Sequence, residues 1–351
     1  MRTPLLLPFL LVLAPTVRAD AIDDLVRAEM VKSKSPALAF AVVKDGKVVR
    51  AQAYGLANVE HNVPATTETV FRVASMSKQF CAAATMLLIR DGKASLDDSV
   101  RKWLPDAPAT WEPMKLRHLL SHTSGIPDAN PADGFVFETT MSSNDFLKVL
   151  FRKPLKRKPG EKFEYSNPGY STLGLIVGKI AGKPLEEVVE ERLLRPVGMN
   201  RTRYYAPNEI VPNRAGGYER RGDRVVNALF LRPPMMQGSG GLMSTVLDFA
   251  KWDAALYGDT PLSRELREVI WTAQAPTEEA NRAYGYGWFV VNEGPKKVLQ
   301  HSGGTVGFTS NFIRRIDDRL TVIVMQNVAS GGAVELSRQI AAHYMGTSST
   351  R

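Results

Sequence analysis

The chain has 351 residues, 44% of them hydrophobic, a formal net charge of +9 and a single cysteine. That length suits two ordinary domains or one large enzyme domain with an inserted lobe, and the apolar fraction is ample for a core, which excludes a disordered chain. One cysteine excludes an intramolecular disulfide. The positive charge is scattered and comes with no nucleic-acid motif and no interleaved aromatics, so nucleic-acid binding is not indicated.

In chain order, Met1-Arg2-Thr3 is followed by an apolar run over residues 5–13 and by Val17-Arg18-Ala19, whose small residues suit cleavage after Ala19. This is the pattern of a secretory signal peptide. Pro4, Pro8 and Pro15 interrupt the run and it is too short to span a bilayer, so the expectation is a periplasmic or secreted protein without stable membrane insertion. Without Arg2 and Arg18 the remaining chain carries 43 basic and 36 acidic residues, a net +7. Ile22, Leu25, Val26 and Met30 then recur at helical spacing up to Pro36, and two apolar runs, 38–43 and 47–51, flank Asp45-Gly46, a strong signal for a tight hairpin.

The segment from Phe71 to Lys78 sets a hydroxyl, Ser75, and an amine, Lys78, three residues apart at the head of an apolar run (Met76, Phe80, Ala83, Leu87) that stops at Asp91-Gly92. Residues so spaced share a helix face. A neutral lysine there can activate the weak serine nucleophile, and the helix N-terminus favours an oxyanion beside it. Cys81, on the same predicted helix, reads as a small buried hydrophobe. A second Ser-x-x-Lys, Ser99 to Lys102, lies in a polar turn and reads as a cap with a solvated lysine.

His118 and His122 are four residues apart, but there is no intervening glutamate and no third ligand, so no metal is assigned. The loop at 130–145 and the proline-rich stretch at 231–236 are candidates for the rim of a cleft. The basic run at 152–162 reads as a solvated loop that could attract an anionic cell-envelope polymer or acidic substrates. Tyr165-Ser166-Asn167 follows, with Asn167 fitting an N-cap, Pro168 the first helical position and Gly182 the helix end. Thr245 and Asp248 read as a capping box. Strands are expected at 287–291, 297–300, 307–312 and 320–325, with His301-Ser302-Gly303-Gly304 among them, and a last helix at 333–344.

Ser-x-x-Lys, then Tyr-x-Asn, then a basic residue followed by Ser-Gly, in that order, resembles the serine β-lactamase and penicillin-binding protein superfamily. The tyrosine in the second motif places the resemblance nearest class C β-lactamases and their DD-peptidase, D-aminopeptidase and esterase relatives; residues 119–125 and 240–245 extend it over nearly the whole chain past residue 19. The resemblance implies an α/β (α+β) fold: an antiparallel sheet from N- and C-terminal strands flanked by helices, with a largely helical lobe inserted. On that reading 1–19 is the signal peptide, 20–346 one catalytic domain (sheet lobe about 20–70 and 283–346, helical lobe about 71–282) and 347–351 a tail.

The resemblance further implies a serine hydrolase that acts through a Ser75 acyl-enzyme, with Lys78 and Tyr165 as the proton-transfer groups in an order the sequence leaves open. Asn167, His301, Ser302 and Gly303 would bind substrate, and the backbone N–H groups of Ser75 and Gly304 would form the oxyanion hole; no cofactor is expected. His301 departs from the Lys-Thr-Gly usual in class C enzymes. A histidine is mostly neutral at pH 7 and anchors a carboxylate poorly. Esters and D-amino-acid amides or peptides are therefore the expected small-molecule or peptide substrates, by a carboxylesterase or D-alanyl-D-alanine carboxypeptidase-like activity. A β-lactamase and a slowly deacylating penicillin-binding sensor or envelope protein remain the alternatives. The oligomeric state is not legible.

Overall fold

Strand β1 (Ala37–Lys44) is buried along almost its whole length, and its continuous apolar run reflects a sheet covered on both faces. Leu38, Phe40 and Val42 join a small core beneath helices α1 (Ala21–Ser33) and α11 (Ala333–Gly346), while Ala39, Ala41 and Val43 join the main core on the opposite face. The structure is a computed structural model that describes residues 21–128, 141–206, 208–228 and 237–346. The expected signal peptide, the tail at 347–351, most of the 130–145 loop and the whole 231–236 stretch lie outside the described residues.

Asp45 and Gly46 take positive φ (53° and 74°), the geometry of the expected tight hairpin, and lead into β2 (Lys47–Asn58). After β3 (Val63–Pro64) the chain leaves the sheet and returns through β9 (Ala275–Pro276), β10 (Arg282–Tyr284), β11 (Phe289–Glu293), β12 (Lys296–Thr305), β13 (Phe308–Arg315) and β14 (Leu320–Gln326). Among the described residues these form one antiparallel sheet in the order β3-β2-β1-β14-β13-β12-β11-β10-β9. N- and C-terminal strands thus meet at β1 and β14, as the sequence suggests, and the sheet extends a little earlier than residue 283.

Between them lies the helical lobe: α2 (Lys78–Arg90), α3 (Leu116–Leu120), α4 (Ser143–Phe151), α5 (Asn167–Ala181), α6 (Leu185–Val189), α7 (Arg195–Val197), α8 (Gln237–Gly240), α9 (Val246–Ala255) and α10 (Arg264–Ile270). Short strands β4 (Phe71–Arg72), β5 (Arg203–Tyr204) and β8 (Leu242–Ser244) pair in the order β4-β8-β5, and β6 (Tyr218–Arg221) with β7 (Arg224–Asn227) makes a hairpin. Helix α2 is buried from Lys78 to Leu88 and apolar there apart from Lys78 and Gln79 at its head and Thr85; it lies in the main core, and Cys81 is buried in it as expected.

Two local readings are corrected. Ser143 to Asp145 belong to a helix rather than a loop, because Ser142 caps α4 by accepting from the Asp145 N–H at 3.1 Å. In α5 the N-cap is Ser166, whose Oγ accepts from Gly169 N–H at 3.1 Å; Asn167 is the first helical residue and Pro168 the second. The Asn167 side chain is therefore free of capping. Thr245 caps α9 as the sequence suggests, accepting from Asp248 N–H at 3.1 Å.

Candidate active site

Ser75 lies on a 3₁₀ turn, Ala74–Ser77, that runs directly into α2. Three residues per turn eclipse positions i and i+3, so the Ser75 and Lys78 side chains are stacked more closely than an α-helix would place them. The turn is held on every side. Val73 N–H donates to Leu242 O at 3.1 Å, Ser310 Oγ donates to Val73 O at 3.0 Å, and Ser77 Oγ donates to Ala74 O at 2.6 Å while accepting from Leu242 N–H at 3.0 Å. These bonds hold Ala74 at φ 47°, a left-handed conformation that costs a non-glycine residue about 1–3 kcal/mol.

Lys78 Nζ has three oxygen neighbours: Ser75 Oγ at 3.1 Å, Asn167 Oδ1 at 2.9 Å and the backbone carbonyl of Ser239 at 2.6 Å. The side chain is fully buried, and burial lowers its pKa to about 7 from 10.5. The Ser239 carbonyl reaches this position because α8 lies directly on α5. A Cβ on Gly238 would stand 2.1 Å from the Tyr170 carbonyl, so only glycine permits that approach.

The Tyr165 ring lies under Lys78 Nζ, 4.8 Å from the centroid, and the Ser75 hydroxyl is close enough to act on its phenol. Burial drives the Tyr165 pKa upward, so the phenol keeps its proton. Tyr165 and Asn167 thus approach the Ser75–Lys78 pair from the head of α5, which places the first two motifs in one cluster.

The third motif arrives on β12. Pairing of β12 with β11 ends at Phe289↔Gln300, whereas pairing with β13 continues to Thr305↔Phe308, so residues 301–305 have one open edge. In an antiparallel hairpin closed by Thr305 and Phe308 the alternate residues Ser302 and Gly304 turn their backbone groups away from β13, toward that edge. Gly304 is exposed, with open space where a side chain would stand. Gly303 is the opposite case: a Cβ there would lie 2.1 Å from Val73 O. Its bareness lets β12 rest on the nucleophile's own turn.

The His301 ring is buried beside Tyr165, 6.3 Å between ring centroids. Its Nδ1 is 2.7 Å from the Ser302 carbonyl, which can only accept, so Nδ1 carries the proton and Nε2 accepts from the Tyr284 hydroxyl at 3.0 Å. Burial, then the Lys78 charge, lowers its pKa to about 3. Both ring nitrogens have partners within the protein, so the imidazole is placed in the cluster by Tyr284 and by its own strand. Ser302 remains partly exposed on the open edge.

The remaining polar pairs stay outside the chemistry. Ser99 accepts from Arg101 N–H at 3.3 Å as a cap, and Lys102 pairs with Asp98 at 2.9 Å. His118 Nδ1 accepts from Lys115 N–H at 3.1 Å, and among the described residues no group of His, Cys, Asp or Glu could hold a metal ion. In the basic run, Lys156 and Arg157 pair with Glu164 and Lys162 with Glu278. Two contributors have no sequence signature: Ser239 acts through a backbone oxygen, and Tyr284 lies outside every motif.

A family model described as Beta-lactamase matches residues 22–344. The chain belongs to the beta-lactamase family. Within that family it is 30% identical over 305 residues to penicillin-binding protein 4* of Bacillus subtilis, a match over 80% of this chain and 66% of that protein's length. Among solved structures it superposes on a penicillin-binding protein homologue from Pyrococcus abyssi with a TM-score of 0.81 and 29% identity, covering 93% of this chain and 77% of the other. A D-amino acid amidase from Ochrobactrum anthropi shares the fold, with a TM-score of 0.82 at 24% identity over 93% of this chain and 99% of the other.

Proposed function

We propose that this member of the beta-lactamase family is a serine hydrolase that forms an acyl-enzyme at Ser75, with Lys78 as the base. The observation that carries this reading is the set of oxygens around Lys78 Nζ. A neutral amine has two N–H groups and one lone pair. Asn167 Oδ1 and the Ser239 carbonyl can only accept, so they take the two N–H groups, and the lone pair is left facing the Ser75 hydroxyl. With a pKa of about 7, much of Lys78 is neutral at physiological pH.

In this mechanism Ser75 Oγ attacks the carbonyl carbon as its proton passes to Lys78 Nζ. The new ammonium keeps its two acceptors and turns its third N–H to the bound oxygen. The carbonyl oxygen becomes an oxyanion facing the N–H groups of Ser75, at the start of its turn, and of Gly304, on the open edge of β12. Tyr165, protonated because it is buried, donates to the leaving group and is reprotonated from Lys78. Water then cleaves the acyl-enzyme by the same groups in reverse.

The neutral third motif supports substrates that present no free carboxylate next to the scissile bond. Esters and D-amino-acid amides fit that condition better than a peptide with a C-terminal carboxylate or a β-lactam. The test is intact-mass detection of acyl adducts, and turnover, across nitrophenyl esters, D-amino-acid amides, D-alanyl peptides and β-lactams. Ser75→Ala should abolish every adduct and all turnover. Wild-type-like turnover in that variant removes the nucleophile assignment, and rapid formation of a stable adduct without turnover favours a slowly deacylating sensor. Export with cleavage after Ala19 belongs to the same proposal, and N-terminal sequencing of the exported protein should begin at Asp20.

A further inference from the structure

His122 ties down Tyr165 from three directions. Its carbonyl accepts from Glu164 N–H at 2.7 Å, its Nδ1 accepts from Ser166 N–H at 3.0 Å, and its ring lies 4.2 Å from the Tyr165 ring at an interplanar angle of 31°. The N–H groups of Glu164 and Ser166, the residues on either side of Tyr165, are therefore both bound to one residue. Ser166 is buried and stands outside the α5 ladder with extended backbone (φ −136°, ψ 112°), so its N–H needs an acceptor from elsewhere. That N–H belongs to the Tyr165–Ser166 peptide unit, and Ser166 is the one residue between Tyr165 and Asn167. A rotation of that unit would swing the phenol away from Ser75 and the amide away from Lys78 together.

Because Ser166 N–H donates, Nδ1 is the unprotonated nitrogen and Nε2 carries the proton. Nε2 is buried without a hydrogen-bond partner among the described residues, and the imidazole ring lies 4.8 Å from the Tyr170 ring and 4.6 Å from the Tyr284 ring, centroid to centroid. His122 itself sits at φ 56°, a left-handed conformation unusual for a histidine. The surrounding segment fixes it there: Thr123 O accepts from Gly160 N–H at 2.8 Å and Gly125 O from Lys156 N–H at 2.9 Å, a ladder that runs alongside the approach to Tyr165. A strained backbone, an aromatic plate and a ring acceptor converge on one peptide unit.

We infer that His122 is a positioning residue for the reaction: as a neutral imidazole it holds the Ser166 amide and the Tyr165 ring so that the phenol and the Asn167 amide meet the Ser75–Lys78 pair. The inference rests on the proposed roles of Tyr165 and Asn167. A residue of this kind acts on kcat, because it governs the geometry of proton transfer and not the affinity for substrate.

The experiment compares His122→Phe, which keeps a ring and loses the acceptor, with His122→Asn, whose Oδ1 can take the place of Nδ1 and which tolerates the left-handed backbone. Both are assayed as the full chain on an alkyl ester, whose leaving group needs a proton, with circular-dichroism melting to establish the folded fraction. His122→Phe should lose about 100-fold in kcat, the scale of a misplacement of about 1 Å, with KM within about threefold. His122→Asn should recover kcat to within about tenfold of the parent even if its melting temperature is lower. A folded His122→Phe with parental kcat overturns the inference, as does a folded His122→Asn that falls as far as His122→Phe. If His122→Phe does not fold, His122→Asn decides by the same tenfold criterion. Tyr165→Phe separates the two levels: its full activity would overturn the parent reading, whereas its inactivity beside an active His122→Phe would overturn this inference alone.

Discussion

Removing the Asn167 amide should both slow the reaction and shift its pH dependence, because Asn167 Oδ1 accepts from Lys78 Nζ at 2.9 Å in either protonation state. A hydrogen bond to a charged donor contributes about 1.5–3 kcal/mol and one to a neutral donor about 0.5–1.5 kcal/mol, so the bond favours the ammonium by about 1–1.5 kcal/mol. At 1.36 kcal/mol per unit, Asn167→Ala should lower the Lys78 pKa by about one unit below its value of about 7. In the proposed mechanism Lys78 acts as the base when neutral, so kcat/KM should rise with pH through the Lys78 pKa, and this acid limb should move to lower pH in the variant. Above the limb the plateau should fall by about 10–100-fold, since the ammonium formed during attack has lost an acceptor. The assay is kcat/KM for a neutral nitrophenyl ester from pH 5 to 9 at constant ionic strength. A limb that stays in place or moves up, or a parental limb above pH 9, would refute the assignment of a neutral Lys78 as base.

Tyr165→Phe should lower kcat by about 10²–10⁴-fold, with the loss smallest for esters whose leaving group needs no proton; equal losses for nitrophenyl and alkyl esters would count against a proton-donor role. Gly303→Ala should cost stability and activity together, because its methyl would stand 2.1 Å from the Val73 carbonyl and force β12 off the nucleophile's turn; a folded variant with parental kcat/KM would show that this close approach is dispensable. Arg314→Met leaves Asp253 buried without the guanidinium 3.0 Å away, and chemical denaturation should show a loss of about 3–5 kcal/mol. A loss below about 1 kcal/mol would show that this buried pair between α9 and β13 is not holding helix to sheet.

What could be read from the sequence was whatever the chain writes in side-chain periodicity. The terminal strands are apolar runs bounded by turn residues, and α2 is an apolar run with a polar head, so their meeting in one sheet and one central helix follows from pattern and connectivity. The Ser-Asn-Pro run illustrates the limit: both Ser166 and Asn167 are good caps and proline fits either of the first two helical positions, so only the observed bond from Gly169 N–H to Ser166 Oγ decides. That one-residue difference matters, since it releases the Asn167 amide for Lys78. The Ser239 carbonyl and the Gly304 N–H are backbone groups, which no residue type announces. The sequence presents His122 as half of a histidine pair without a third ligand and as part of the 119–125 resemblance, but not as a partner of Tyr165 and Ser166, which are more than 40 residues away.

Burial links these pieces electrostatically. It lowers the Lys78 pKa to about 7 and the His301 pKa to about 3, and it raises that of Tyr165, so around pH 8 the cluster is close to neutral before substrate arrives. In the proposed mechanism attack by Ser75 creates two charges at once, an ammonium on Lys78 and an oxyanion near the Ser75 and Gly304 N–H groups, and a buried environment strengthens their attraction. A permanent cation in place of His301 would repel the forming ammonium and favour ionisation of the adjacent Tyr165, moving the task of base from amine to phenolate. On the proposed mechanism the residue at the head of the third motif therefore bears on more than carboxylate recognition: a neutral His301 would leave Lys78 as the group best placed to receive the proton.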